Sequence, residues 1–252
     1  MGRSTQLSEA AQTMGDKTAS ISKQASSSDK DLKLTFFDRK VAAATITEQT
    51  SRYRPTAWAQ QSLYGQEILI RALDIAGSVT ILFLAMLPML VVALLVRIFS
   101  SGTILYRQKR VGKDGRIFIL YKFRTMVNNA EEHTGPVWAA EDDPRVTPIG
   151  RVLRKTRLDE LPQLFNVLWG DMSLVGPRPE RPHFVKQHRA LQGIRLAVKP
   201  GLTGLAQIRN SYDLRPEHKT KYDYLYIRKR SVLLNLYILL QTVPVIFSKK
   251  GW

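Results

Sequence analysis

The sequence predicts an α+β protein with a membrane segment, and three patterns carry that prediction. Residues 75–96 form a run of 22 uncharged and mostly apolar residues, about the length that crosses a hydrocarbon core of roughly 30 Å. Residues 103–108 and 116–122 are rich in β-branched and aromatic residues and flank an Asp-Gly pair, which is typical of a β-hairpin. From residue 149 onward the pattern is mainly helical.

Composition narrows the classes of protein and of partner. The 252 residues include 38 Lys and Arg against 21 Asp and Glu, which gives a formal charge of +17, and 44% are apolar. There is no cysteine, which excludes disulfides, iron–sulfur clusters and thiolate zinc sites. The excess positive charge indicates an anionic partner: nucleic acid, anionic lipid or a phosphorylated small molecule.

The chain divides into three parts. Residues 1–65 form an N-terminal extension that we expect to be disordered or weakly structured, because its first thirty residues are polar and ten of them are Ser or Thr. Residues 66–100 form a juxtamembrane and membrane helix, and residues 101–252 form the main domain. Residues 231–247 are again uncharged, and they suit a helix lying on a membrane or domain surface better than a second span.

The apolar run has two interpretations, a spanning helix and a helix that enters and returns. It is basic on both sides, with Arg52, Arg54 and Arg71 before it and Arg97 and Arg107 after it. A single transmembrane helix usually has its excess of Lys and Arg on one side, whereas a helix that enters and returns keeps both flanks in one compartment. Pro88, just past the middle, is a candidate break, although proline also occurs in ordinary spanning helices. The sequence patterns leave both readings open.

An acidic pair lies where a helix is expected to start. Asp159 and Glu160 precede Pro162, which is acceptable only in the first turn of a helix. Two adjacent carboxylates offer a nucleophile and oxygen ligands for a hard cation such as Mg²⁺. Taken alone, the pair is more simply explained by acidic residues that cap a helix N-terminus.

Three proline- or glycine-bearing turns accompany this pair. Arg178 stands between two prolines, and Arg145 follows a proline, so both guanidinium groups are held in directions suited to binding phosphate. The third turn is glycine-bearing, and we expect its amides to be exposed and to approach a nucleotide. Its candidate nucleotide-binding residues are Lys199, Pro200, Gly201, Thr203 and Gly204.

These motifs together resemble the bacterial sugar transferase family, the monotopic polyprenyl-phosphate phosphoglycosyl transferases. The resemblance runs from about residue 71 to residue 247. Its motifs are YRQKRVG (106–112), YKFRTM (121–126), DPRVT (143–147), LDELPQ (158–163), GDMSLVGPRP (170–179) and KPGLTG (199–204).

The resemblance implies a reaction, a site and a location. The reaction transfers a sugar 1-phosphate from a UDP-sugar to undecaprenyl phosphate with release of UMP and uses Mg²⁺, in envelope polysaccharide or glycoconjugate synthesis. Asp159 corresponds to the nucleophile that forms an aspartyl-phosphosugar, Glu160 to its metal-binding partner, and Arg145 and Arg178 to phosphate-binding residues. The resemblance further implies a monotopic protein on the cytoplasmic face of the bacterial inner membrane, with a re-entrant helix broken at Pro88 and amphipathic interfacial helices contacting membrane lipid.

The sequence departs from the family pattern at three positions, and one alternative function remains. Leu87 replaces a common Ser, Leu205 a common aromatic residue, and Asn235 a usual Asp. The alternative is a membrane-anchored basic protein that binds lipid or nucleic acid without catalysis. It does not explain the acidic pair, and the sequence has no nucleic-acid fold signature, so we expect no nucleic-acid partner. Homo-oligomer formation is left open.

Overall fold

The computed structural model describes residues 57–132, 134–138, 140, 142–209 and 216–247. The tail of residues 1–30 and most of the N-terminal extension therefore lie outside the described residues. Residues 57–65, at the end of this extension, are helical and belong to the first helix. The helix simply starts upstream of the apolar run.

Helix α1, Ala57–Phe99, contains the whole apolar run. Within the described residues, its segment Gly65–Phe99 is long and apolar enough to cross a membrane, judged by length and composition. Pro88 lies inside the helix, and helical backbone continues on both sides of it. The expected break of the helix at Pro88 is therefore not seen. A helix can bend at a proline and still continue. Re-entry stays a prediction.

One face of α1 packs against the rest of the protein along most of its length. Ile70, Asp74 and Ser78 are buried before Pro88, and Val92 and Val96 are buried after it. Their spacing of four residues within each group places them on one side of the helix. The other side exposes large apolar side chains, including Phe83, Leu84, Leu87, Leu90 and Leu94.

The predicted hairpin is confirmed. Strands β1, Leu105–Val111, and β2, Ile117–Phe123, pair in antiparallel fashion. Asp114 and Gly115 occupy the turn with φ of 55° and 72°. A type I′ turn needs positive φ at both central residues, and Asp-Gly adopts that conformation readily. The Asp-Gly pair therefore explains where the chain reverses.

Two short helices follow the hairpin. Helix α2, Pro148–Thr156, begins with Thr147, whose Oγ1 accepts a hydrogen bond from the Gly150 amide at 3.0 Å. Helix α3, Gln163–Trp169, begins directly after Pro162, slightly later than the start beside Asp159 and Glu160 that the sequence predicts. Between α2 and α3, a single turn of 3₁₀-helix spans Leu158–Glu160.

The second sheet is a pair of short parallel strands. Strand β3, Ser173–Val175, pairs with β4, Gly201–Thr203. Helix α4, Pro182–Gln187, and two 3₁₀ turns, Arg189–Leu191 and Gly193–Ala197, form the connection between them. Parallel strands need such a crossover because the chain must return to the same end of the sheet.

Three helices complete the described chain: α5, Leu205–Ile208, α6, Pro216–Lys229, and α7, Val232–Phe247. Helix α7 confirms the helix predicted for residues 231–247. It buries Ile238 and exposes Leu233 and Leu240. Its outer surface is therefore apolar, as is that of α1.

The main core joins the hairpin, α3, both short strands and the last two helices. Its buried apolar members are Phe118, Leu120, Leu164, Val167, Met172, Leu174, Val175, Leu205, Tyr226 and Ile238. A smaller core lies between α1, β2 and α2, where Val92 and Val96 pack with Phe123 and Leu153. This mixture of helices and two small sheets agrees with the predicted α+β class.

Candidate active site

The acidic pair lies in the 3₁₀ turn between α2 and α3. Arg157 ends α2 in the left-handed region, with φ of 60°, and this turns the chain sharply. Asp159 follows and is only 5% exposed. The pair is therefore placed by a turn between two packed helices, and it is more deeply buried than helix capping requires.

Glu160 is held by two arginines. Arg178 donates from Nη2 to Oε1 at 2.6 Å and from Nη1 to Oε2 at 3.3 Å, and Arg157 Nη1 lies 3.7 Å from Oε1. Burial raises the pKa of Glu160, but Arg178 and then Arg157 outweigh that effect and lower the pKa to about 2. Glu160 is thus an anion at all physiological pH values.

Asp159 has a different electrostatic environment. Burial, followed by the neighbouring Glu160 charge, raises the pKa of Asp159 to about 6, while Lys122, Arg154 and Arg157 oppose the rise. At neutral pH the carboxylate is therefore mostly ionised but poorly solvated. A carboxylate in this state is a better nucleophile than one that is fully hydrated.

Lys122 is a site residue that the sequence patterns did not single out. It lies on β2, its Nζ is 5.3 Å from the centre of the Tyr106 ring, and burial lowers its pKa to about 8. Its charge acts directly on Asp159. The signals in the sequence are its position in the motif YKFRTM (121–126) and a lysine among the apolar residues of a strand.

A cavity of about 600 Å³ lies next to the hairpin and α2, and we call it the cationic cavity; Asp159 and Glu160 do not line it. Its wall contains Lys122 and Arg154, both of which interact with Asp159. Among the charged residues that line it, six are Lys or Arg and three are Glu: Arg110, Lys122, Arg124, Arg145, Arg154 and Arg181 against Glu131, Glu132 and Glu180. The volume lies within the usual range for small-molecule sites, and the charge favours an anionic ligand.

Arg145 lines this cavity and is oriented by Asp143. It donates from Nε to Oδ1 at 2.8 Å and from Nη2 to Oδ2 at 2.5 Å. Asp143 also accepts from the Arg145 amide at 3.0 Å. The structure thus brings Asp159, Glu160 and Arg178 into one group and places Arg145 on the wall of the neighbouring cavity.

Comparison with known proteins identifies the family of the chain. The sequence model of the bacterial sugar transferases matches residues 65–249. The chain belongs to the bacterial sugar transferase family. The match includes α1 from Gly65 onward, both sheets and the acidic pair.

Two relatives of this bacterial sugar transferase are named for the transfer of sugar phosphates to undecaprenyl phosphate. A UDP-glucose:undecaprenyl-phosphate glucose-1-phosphate transferase of Klebsiella pneumoniae is 45% identical over 186 residues, which is 71% of this chain and 40% of the relative. A UDP-N-acetylgalactosamine-undecaprenyl-phosphate N-acetylgalactosaminephosphotransferase of Aeromonas hydrophila is 41% identical over 187 residues, 72% of this chain and 44% of the relative. These matches cover less than half of each relative.

A third relative has a similar length. The exopolysaccharide production protein ExoY of Sinorhizobium fredii is 33% identical over 221 residues, 82% of this chain and 93% of the relative. The relatives therefore include both larger proteins and one that the match covers almost completely.

The predicted nucleotide-binding turn is arranged differently from the expectation. Pro200, Gly201, Thr203 and Gly204 are buried. The Gly201 amide donates to the Pro177 carbonyl at 2.9 Å. The expectation of exposed amides is therefore wrong, because these residues are buried and the Gly201 amide is already hydrogen-bonded. A role of these residues in nucleotide binding stays a prediction.

Close packing explains the glycines of this turn. A Cβ on Gly201 would lie 2.0 Å from the Gly176 nitrogen, and one on Gly204 would lie 2.2 Å from the Gly176 oxygen. The ammonium of Lys199 lies elsewhere, near Gly170 at the end of α3 that is remote from the acidic pair. The structure thus does not bring Lys199 to Asp159.

The acidic pair fits Mg²⁺ in its donor chemistry. Asp159 and Glu160 supply carboxylate oxygens, the ligands that Mg²⁺ prefers. Among the described residues there is no cluster of three or more His, Asp or Glu side chains with metal-site geometry. Mg²⁺ would therefore use one or two protein carboxylates, with phosphate oxygens and water completing its shell, which is its common arrangement in phosphate-binding sites.

Proposed function

We propose that this bacterial sugar transferase moves a sugar 1-phosphate from a UDP-sugar to undecaprenyl phosphate, with Asp159 carrying the phosphosugar between the two substrates. The observation that carries the proposal is the placement of Asp159, which is buried and ionisable and interacts electrostatically with Lys122 and Arg154, two residues in the wall of the cationic cavity. The names of the relatives support the same substrates. The expected setting is envelope polysaccharide or glycoconjugate synthesis.

In the first half of the reaction, an oxygen of Asp159 attacks the phosphorus next to the sugar. The bond from that phosphorus to the bridging oxygen breaks, and UMP leaves with the bond electrons. Attack by an anion on a diphosphate is opposed by charge, so Lys122, Arg154 and Arg145 contribute by neutralising phosphate oxygens. The cationic cavity has room for the UDP-sugar.

In the second half, a phosphate oxygen of undecaprenyl phosphate attacks the same phosphorus and displaces the Asp159 carboxylate. The products are undecaprenyl diphospho-sugar and the original enzyme. Water would otherwise hydrolyse the acyl phosphate, so the burial of Asp159 protects the intermediate. Mg²⁺ bound by Asp159 and Glu160 would supply charge neutralisation at the phosphates. Arg178 keeps Glu160 ionised and oriented for that purpose.

The packing of α1 supports a monotopic attachment, and the proposed location is the cytoplasmic face of the inner membrane. Residues on both sides of Pro88 contact the same domain: Arg71 donates a hydrogen bond to α3 on one side, and Val96 packs near α2 on the other. A helix that crossed a bilayer would separate its two ends by about 30 Å of hydrocarbon. Contact of both ends with one charged domain therefore favours re-entry into one leaflet, with the apolar surfaces of α1 and α7 in contact with lipid.

The activity test measures UMP release and the mass of the intact protein. Purified enzyme in nanodiscs is mixed with UDP-glucose, UDP-galactose or UDP-N-acetylgalactosamine, with and without undecaprenyl phosphate. We expect UMP with one of these donors and a phosphosugar adduct on Asp159 when the acceptor is omitted. Asp159→Asn should lose both signals, while Asp114→Asn, an exposed turn residue, should keep both.

Two outcomes would overturn the proposal. An adduct on another residue, or full UMP release by Asp159→Asn, would exclude Asp159 as the nucleophile. No UMP from any donor, combined with retained binding to anionic vesicles, would favour a membrane-anchored binding protein without catalysis.

The topology test uses the absence of cysteine in the chain. Ser28→Cys and Ser248→Cys are introduced singly and treated with a membrane-impermeant thiol reagent on spheroplasts. We expect both to be protected until the membrane is permeabilised. Labelling of Ser28→Cys alone from outside would show a spanning helix and exclude re-entry.

A further inference from the structure

The turn that carries Arg178 is held by an unusual set of hydrogen bonds. Four consecutive backbone carbonyls accept a hydrogen bond from outside the turn. The pairs are Pro177 O with Gly201 N at 2.9 Å, Arg178 O with Arg195 Nη2, Pro179 O with Arg110 Nη1 at 2.9 Å, and Glu180 O with Val111 N at 3.0 Å. Two of these donors are arginine side chains, which reach the turn from distant parts of the chain.

Arg195 is itself fixed by a buried partner. It lies in the 3₁₀ turn Gly193–Ala197, and its Nε donates to Asp223 Oδ2 at 2.7 Å. Both side chains are 5% exposed. Asp223 belongs to α6, so the pair connects that helix to the carbonyl of Arg178. Neither Arg195 nor Asp223 contacts Asp159 or Glu160 in any hydrogen bond that the structure shows.

The bond to the Arg178 carbonyl adds to the restraint that the prolines impose. Prolines on either side fix their own φ angles, and Pro179 also restricts ψ of Arg178. The orientation of the peptide plane that carries the Arg178 carbonyl is therefore limited, whereas neither proline ring fixes the φ angle of Arg178. A guanidinium hydrogen-bonded to the Arg178 oxygen connects this plane to α6 through Asp223, and so anchors the backbone from which the Arg178 side chain reaches Glu160.

We propose that Arg195 and Asp223 are positioning residues for the transfer reaction and act through Arg178. This inference rests on the proposed function, in which Arg178 orients Glu160. A buried ion pair adds little stability by itself, since desolvation of its charges offsets their attraction. Because Arg195 of this pair bonds to the Arg178 carbonyl, the pair can hold the Arg178 turn in place, which is a role other than stabilising the fold.

The first variant is Arg195→Lys. An ammonium retains the charge that Asp223 needs, but it cannot direct two N–H groups at Asp223 and at the Arg178 carbonyl in a fixed fork. We expect the rate of phosphosugar formation on Asp159 to fall at least fivefold. The control is Arg189→Lys, an exposed residue of the preceding 3₁₀ turn, which should keep the wild-type rate.

The decisive measurement combines the substitutions. In an Arg178→Ala background, Arg195→Lys should lower the rate less than twofold further, because the residue that it positions is gone. A purely structural role would instead lower the rate by the same factor in both backgrounds, and that result would overturn the proposal. Melting temperatures of all variants are measured in parallel.

A second variant covers a loss of folding. If Arg195→Lys does not fold, Asp223→Asn keeps an oxygen acceptor for Arg195 and is tested in the same two backgrounds. Equal rate losses in both backgrounds would again overturn the proposal. A wild-type rate in Arg178→Ala would also overturn it while leaving the Asp159 chemistry intact, whereas absence of UMP release in the wild-type enzyme would overturn the proposed function itself.

Discussion

Replacement of Asp143 by Asn tests how Arg145 is held at the wall of the cationic cavity. Asp143 is 4% exposed and accepts three hydrogen bonds, two from the Arg145 side chain and one from its amide. The hydrogen bond from Arg145 is the largest cause that holds the pKa of Asp143 at about 2, against an ordinary value of 3.8. Asn preserves the shape of the side chain and removes the charge.

The lowered pKa of Asp143 gives the stability that the substitution should remove. The lowering of the Asp143 pKa from 3.8 to about 2 corresponds to about 2 kcal/mol, with allowance for the partial exposure of Arg145 to solvent. For a folded part of this size, 1 kcal/mol shifts the melting temperature by about 2–4 °C. Asp143→Asn should therefore lower the melting temperature by about 4–8 °C at pH 7.

The pH dependence has a definite sign. The folded-state pKa lies below the unfolded-state value, so the contribution of the carboxylate is complete above pH 4 and is lost as the pH falls from about 4 to about 2. About half of it is gone at pH 3. The wild-type protein loses this stability on acidification and Asp143→Asn does not, so the difference between them should shrink by about half between pH 7 and pH 3.

The assay is thermal unfolding in detergent micelles at both pH values. The control is Asp142→Asn, the same chemical change at the exposed neighbouring position, and it should shift the melting temperature by less than 1 °C, as is usual for surface substitutions. The reasoning is refuted if the two variants melt at the same temperature at pH 7. It is also refuted if the difference between wild type and Asp143→Asn is the same at pH 7 and pH 3.

Three further predictions concern the turns around the acidic pair. Arg178→Lys should lower kcat/KM for UMP release at least tenfold, about 1.4 kcal/mol, because an ammonium cannot form both bonds to Glu160; unchanged kinetics would contradict the role of Arg178. Gly201→Ala should lower the melting temperature by several degrees through the clash with Gly176, whereas Gly65→Ala, with open space around it, should not lower it. Lys199→Met should leave the donor KM within twofold of wild type, and a larger rise would support its predicted nucleotide contact instead.

The sequence predicts those elements whose signals are local. The hairpin follows from the Asp-Gly pair, and Pro162 indicates the start of α3 to within a few residues, because both depend on the backbone preferences of one or two residues. The acidic pair is visible for the same reason, since its residues are adjacent in the chain. Local signals therefore indicated a candidate pair, and the resemblance to the family gave the pair its predicted role.

The surroundings of Asp159 depend on contacts between distant residues, and the sequence patterns did not reveal them. Lys122 lies on β2. Arg195, which bonds to the Arg178 turn, lies in the crossover between β3 and β4. The sequence predicts that the glycines of residues 199–204 approach a nucleotide. In the structure they are needed because the backbone of Gly176 approaches them closely. A glycine pattern alone does not distinguish these two causes.

Helix α1 contacts the two helices on either side of the acidic pair. Arg71, before the apolar run, donates to the Val167 and Leu168 carbonyls of α3 at 2.6 and 2.7 Å. Val96, near the other end of α1, packs in the small core that contains Leu153 of α2. The turn with the acidic pair joins α2 to α3, so α1 holds the elements on both sides of it. A change in the path of α1 would therefore move α2 and α3 relative to each other and displace Asp159 and Glu160 from Arg178 and Lys122. In the proposed function, where the second substrate is a lipid, the apolar helix would thus contribute to the geometry of the site as well as to membrane attachment.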